Sequence, residues 1–122
     1  MKLAPLLASG ILSLLLVGCV QKDYTSEHKW SIEAPKEVVK GTELQFKVLL
    51  IDAQEQPAAG VDYHYQIHWP GGSVQPLRHV GRTGEDQKRR ASVMPGTATV
   101  VVTCANKEGS TVKVAEASVE VK

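Results

Sequence analysis

The sequence predicts an all-β domain of two packed antiparallel sheets, about seven strands in all, behind an N-terminal export segment. Three observations point there. From Trp30 onward apolar residues recur at every second position in short stretches, Gly and Pro punctuate those stretches at fairly regular intervals, and no apolar stripe of helical period appears. So many short strands in so short a chain fit two stacked sheets better than a closed barrel.

Taken in order, Trp30 and Ile32 alternate with Ser31 and Glu33, and Pro35 ends this first strand. Leu44, Phe46, Val48 and Leu50 give the next strand a fully apolar face, as a central strand requires. Asp52 to Gly60 is a turn, with Pro57 and Gly60 among polar residues. Val61, Tyr63, Tyr65, Ile67 and Trp69 then share one face, and Pro70-Gly71-Gly72 stops the strand. Residues 73–90 carry the weakest pattern and are expected to hold one or two short edge strands, with a mobile loop over Gly81 to Arg90.

Ala91 and Val93 lead to the turn Pro95-Gly96, and Ala98, Val100, Val102 and Cys104 form a second central strand. Beyond the turn Asn106 to Gly109, apolar residues fall on even numbers at Val112 and Val114 but on odd numbers at Ala117, Val119 and Val121. That change of parity predicts a bulge or a switch of sheets near Ala115.

Ahead of the domain, Met1 to Val20 has one basic residue, Lys2, followed by an apolar run from Leu3 to Val17 broken only by Pro5, Ser9, Gly10 and Ser13. This is the layout of an export signal. A membrane-spanning helix is the competing reading, but it needs about 20 apolar residues and tolerates Pro and Gly poorly. The chain has 14 Lys and Arg against 13 Asp and Glu, so loss of Lys2 with the signal leaves a balanced charge. Balance argues against bulk electrostatic binding to nucleic acid or anionic lipid.

The export segment closes on Leu16-Val17-Gly18-Cys19, which resembles the lipobox of bacterial lipoproteins. The resemblance implies that Cys19 carries a diacylglycerol on sulfur, that a peptidase cuts between Gly18 and Cys19, and that the new amino group is open to acylation by a chain such as palmitate. Two or three acyl chains hold a protein on a membrane almost permanently, since each buried methylene contributes about 0.8 kcal/mol. An ordinary signal peptide, with Cys19 later paired to Cys104, is the alternative. Residues 19–29 are then the lipidated cysteine and a polar tether with a reach of about 17 Å, and residues 30–122 are the domain. In a host with two membranes, Val20 rather than Asp after the cysteine implies outer-membrane sorting; otherwise the anchor is the cell membrane, on its extracytoplasmic side.

Val39-Lys40-Gly41-Thr42, the Asp52 to Pro57 turn with Gly60-Val61, and Pro95-Gly96-Thr97-Ala98 resemble the matching segments of bacterial immunoglobulin-like domains, the kind repeated in invasin and intimin adhesins. That resemblance implies an immunoglobulin-like sandwich and an interaction or adhesion role. Phe46 or Val48 stands where antibody domains place the partner of the cysteine at Cys104, so that disulfide is excluded.

Candidate sites follow from residue type. Arg78, His79, Arg82, Lys88, Arg89 and Arg90, diluted by Glu85 and Asp86, form the one charged cluster and the candidate partner surface. Trp69 is a candidate for stacking on a ligand, although both it and Trp30 occupy inward-facing positions. His64 and His68 lie roughly 13 Å apart on a strand, too far to share one ion, so no metal site is expected there. Cys104 falls on a core face and is expected to be inert. The chain has no Gly-x-Ser-x-Gly, His-Glu-x-x-His, Cys-x-x-Cys or glycine-rich phosphate loop, so neither an enzyme nor a cofactor is expected. The reading is a lipid-anchored, non-enzymatic protein-interaction module whose partner is a protein of the cell envelope or surface; an envelope-glycan or metal-binding protein is the alternative.

Overall fold

A computed structural model describes residues 23–25, 28–72 and 76–122. Among these residues every regular element is a strand: β1 Lys29–Glu33, β2 Glu37–Val38, β3 Glu43–Ile51, β4 Asp62–His68, β5 His79–Arg82, β6 Asp86–Arg90, β7 Gly96–Ala105 and β8 Thr111–Val121. They form a three-stranded sheet in the order β1-β3-β6 and a five-stranded sheet in the order β2-β8-β7-β4-β5. All pairings are antiparallel except β2 with β8. This is an immunoglobulin-like sandwich in which the first strand is divided between the two sheets.

Alternation builds the core. Leu44, Phe46, Val48 and Leu50 of β3 face Tyr63, Tyr65 and Ile67 of β4 and Ala98, Val100 and Val102 of β7, and all are buried. Val119 and Val121 of β8 and Val38 of β2 complete it, with Trp30, Ile32 and Trp69 packed around its margin. Phe46 meets Tyr65 edge-on with ring centroids 5.1 Å apart, the geometry that ring quadrupoles favour.

The parity change in the last strand is a bulge. Ala115 pairs with Val102 and Lys113 with Thr103, which leaves Val114 as the extra residue, and β8 continues in the same sheet. The expected strand before Pro35 is present, and beyond it the chain crosses sheets: the Lys36 carbonyl accepts from Glu120 N–H and the Val38 carbonyl from Lys122 N–H. Lys29, placed in the tether from sequence, is the first residue of β1, and Trp30 Nε1–H donates to the Tyr24 carbonyl at 2.8 Å.

One expectation is corrected. Gly81 to Arg90 is not a mobile loop: it comprises the end of β5, the whole of β6 and a three-residue connection, Thr83-Gly84-Glu85. The expected edge strands are both present, one on each sheet. Thr83 anchors the connection. It is buried, its Oγ1 accepts from Val61 N–H at 3.0 Å and donates to the Ala58 carbonyl at 2.7 Å, and its backbone N–H donates to the Val61 carbonyl. Gly84 takes the left-handed conformation, φ 83°, and its N–H donates to the Val48 carbonyl.

Candidate interaction surface

Because the connection from β5 to β6 is so short, these two edge strands, one from each sheet, lie on the same side of the sandwich. Antiparallel pairing sets which groups line that side. Ala91 N–H donates to the Thr42 carbonyl, and β3 and β6 pair residue for residue with Leu44 opposite Arg89 and Phe46 opposite Gln87. The alternation of an antiparallel ladder therefore turns the backbone groups of Arg89 and Gln87 toward β3 and those of Lys88 away from it, along the open edge.

Side chains alternate in the same way. Tyr65 pairs with His79 and Tyr63 with Gly81, so both β5 residues face inward. The Tyr65 hydroxyl donates to Gln87 Oε1 at 3.1 Å and accepts from Arg89 Nε–H at 2.9 Å, while the Arg89 guanidinium carbon lies 5.8 Å from the Tyr65 ring centroid. The His79 ring sits 5.1 Å from the same ring, tilted by 38°. Burial, and then the charge of Arg89, hold the His79 imidazole below its ordinary value. Next to this group Gly81 lies against Tyr63, where a Cβ would fall 2.6 Å from both Cζ and the hydroxyl. Burial pushes the Tyr63 phenol well above its usual range.

The remaining predicted cations face outward. Arg82 pairs with Asp62 at 3.1 Å, both well exposed and so worth little to stability. Arg90 Nη1 donates to the Gly41 carbonyl at 3.0 Å, Lys88 is exposed on β6, and Arg78 is exposed just before β5. The six residues of the predicted cluster thus line one side of the molecule, distributed over both sheets, with His79 and Arg89 between them. Two large apolar side chains, Leu77 and Val80, are exposed among them. Beyond the Asp86 end of β6 an apolar recess of about 220 Å³ is lined by Leu49, Ile51, Pro57, Ala58, Ala59 and Gly84, together with Leu50.

Other candidates lie elsewhere. Trp69 is half-buried and packs on the core margin. His64 and His68 are on the outer face of β4, opposite Thr103 and Thr99, and among the described residues no group of three metal-capable side chains converges. Cys104 is buried, and burial raises its thiol above the usual value, which leaves it a poor nucleophile. Gly18 and Cys19 lie outside the described residues. No described helix is long and apolar enough to cross a membrane.

Sequence reasoning missed Thr83, the ring of groups around Tyr65 and the apolar recess. Only the Tyr65 cluster left a trace, in the inward parity of Tyr63 and Tyr65 on a strand that has no cysteine or leucine to fill the space beside them.

No protein-family model matches the chain, and no curated protein matches it. Among solved structures it is similar to the CARDB domain of a Pyrococcus furiosus protein, solved in complex with di-metal ions, at 12% identity and TM-score 0.45, covering 78% of this chain and 87% of that one. It is also similar to an alkylpurine DNA glycosylase from Pseudomonas fluorescens bound to DNA, at 18% identity and TM-score 0.47, over 90% of this chain and 33% of that one. A mutant β-glucosidase from Listeria innocua in complex with laminaribiose follows at 17% and 0.46, over 78% of this chain and 16% of that one. The chain therefore spans a third or less of the two enzymes. At these scores none of the three bears on what this chain does.

Proposed function

We propose that this chain is a lipid-anchored, extracytoplasmic and non-enzymatic interaction module that docks a protein partner on the open side of the sandwich, between β5 and β6. The observation that carries the reading is the makeup of that side. It offers an outermost backbone edge on β6, two exposed apolar side chains at Leu77 and Val80 among cations from both sheets, and an apolar recess beyond the Asp86 end of β6. Apolar anchors with a charged rim are the usual composition of a protein interface, and a free strand edge is the usual site of strand addition.

Leu16-Val17-Gly18-Cys19 supports the anchor, which on this reading holds the module at an envelope membrane. Edge strands carrying lysine and arginine also protect against indiscriminate pairing. On this reading the same charges admit an acidic strand and repel a second copy of the chain, which selects a different protein as partner.

In-cell crosslinking of a C-terminally tagged full chain, with recovery from solubilised membranes, tests this. One dominant attached protein is the expected result. Recovery of cell-wall fragments alone, enriched over a Trp69→Ala control, would instead make the protein a glycan binder.

A further inference from the structure

We infer that the notch between β5 and β6 is a carboxylate-binding site, in which Arg89 and His79 together take an acidic side chain of the docked segment. This rests on the interaction-module reading and names the chemistry of its partner.

The case begins with Arg89. It is half-buried, faces inward from β6 and is held in place by the Tyr65 hydroxyl through Nε–H and by the Tyr65 ring. None of the ion pairs among the described residues includes it, and its two terminal nitrogens have no protein acceptor there. Asp86, the acid nearest on its own strand, faces outward and pairs with Lys47 at 3.9 Å. A partly buried cation is normally paired, since removing its charge from water costs several kcal/mol. Here the guanidinium is instead fixed in one orientation with a planar donor fork open, the arrangement that binds a carboxylate through two parallel hydrogen bonds.

His79 supplies the second half. Its ring lies against the other occupant of the notch, Tyr65, and the charged or titratable groups that face it are Tyr65 from β4 and Arg89 from β6, with exposed Arg78 preceding it just outside β5. No acid among the described residues is among the groups that shift it, and burial with the Arg89 charge holds it below its ordinary value, which favours the neutral imidazole in the free chain. A carboxylate seated between the two groups reverses the local field and favours the imidazolium. Binding therefore takes up a proton. Affinity is greatest below the free-state value of His79 and falls as pH rises through its value in the complex. Tyr65 carries the geometry because it touches both groups while being itself fully buried.

The test uses the full chain in detergent micelles, with labelled histidine and arginine, and two extended hexapeptides of alternating Val and Thr that differ only in one Glu or Gln at the centre. The Glu peptide is expected to raise the midpoint of the His79 titration, to shift the Arg89 Nε–H signal, and to bind about tenfold more weakly at pH 7.5 than at pH 5.5, one unit of displaced pKa being a tenfold change. The Gln peptide is expected to do none of these. His79→Gln should remove the pH dependence but keep binding, and Arg89→Met should abolish binding. Equal behaviour of the Glu and Gln peptides on the unmodified chain, or an unmoved His79 midpoint at millimolar Glu peptide, overturns the site even if Arg89→Met fails to fold. A protein partner captured in cells equally by the unmodified chain and by folded Arg89→Met removes the carboxylate site and leaves the interaction module standing. A response to the Glu peptide with no protein captured in cells does the reverse.

Discussion

The two long sides of the sandwich solve the same problem in opposite ways. On one side the first strand divides at Pro35, so that β1 covers the edge of β3 and β2 covers the edge of β8. Ile32, Ala34 and Val38 carry apolar packing across the gap between the sheets. On the other side the chain also crosses between sheets, in the three residues Thr83 to Glu85, but β5 and β6 remain separate edges with polar groups between them. A strand shared between the sheets ties that side together through apolar packing, although β1 and β2 are still its outermost strands. Leaving a side open requires charges that prevent promiscuous pairing, and those charges are then available to choose a partner.

This contrast yields graded expectations. The largest effect should fall on the closed side: Trp30→Ala removes an aromatic packed edge-on against Tyr63 and hydrogen-bonded to Tyr24, and should cost about 3 kcal/mol in a urea unfolding series. On the open side Gly81→Ala drives a methyl into the Tyr63 ring and should cost about 2 kcal/mol, with part of it recovered in the double variant Gly81→Ala, Tyr63→Leu. Thr83→Val keeps the shape of the connection but leaves Val61 N–H and the Ala58 carbonyl without their bonds, and should cost about 1.5 kcal/mol by the same measurement.

The smallest effect is one of pH. Because His79 titrates lower in the folded chain than its ordinary 6.5, the unfolded chain holds more protons between the two values. Stability should therefore rise with pH through that window and fall as pH drops below 6.5. His79→Gln should flatten this slope in melts across that range.

The centre of the sandwich was far easier to read from sequence than its open side. In β3, β4 and β7 every inward position is apolar, and alternation alone located them. β6 has the same period of two, but its inward residues are Gln87 and Arg89, which satisfy Tyr65 rather than fill space, so a hydrophobicity pattern sees only a run of charge. β5 hides for a different reason: its inward residues are His79 and Gly81, the glycine lying where Tyr63 occupies the room a side chain would need. The cations of the candidate surface were found as a cluster in sequence. Which of them point between the sheets depends on register, and register is set by pairing with β3 and β4. Thr83 left no signal at all, since one threonine in a polar stretch gives no hint that both its hydroxyl lone pair and its proton are engaged.

The most direct test of the open side as the docking surface places a photo-crosslinking residue at Lys88 in one tagged chain and at Glu33, on the closed side, in another, and compares what each captures in cells. The account predicts a single protein adduct from position 88 and little or none from position 33. Equal capture at both positions, or capture from position 33 alone, would contradict it.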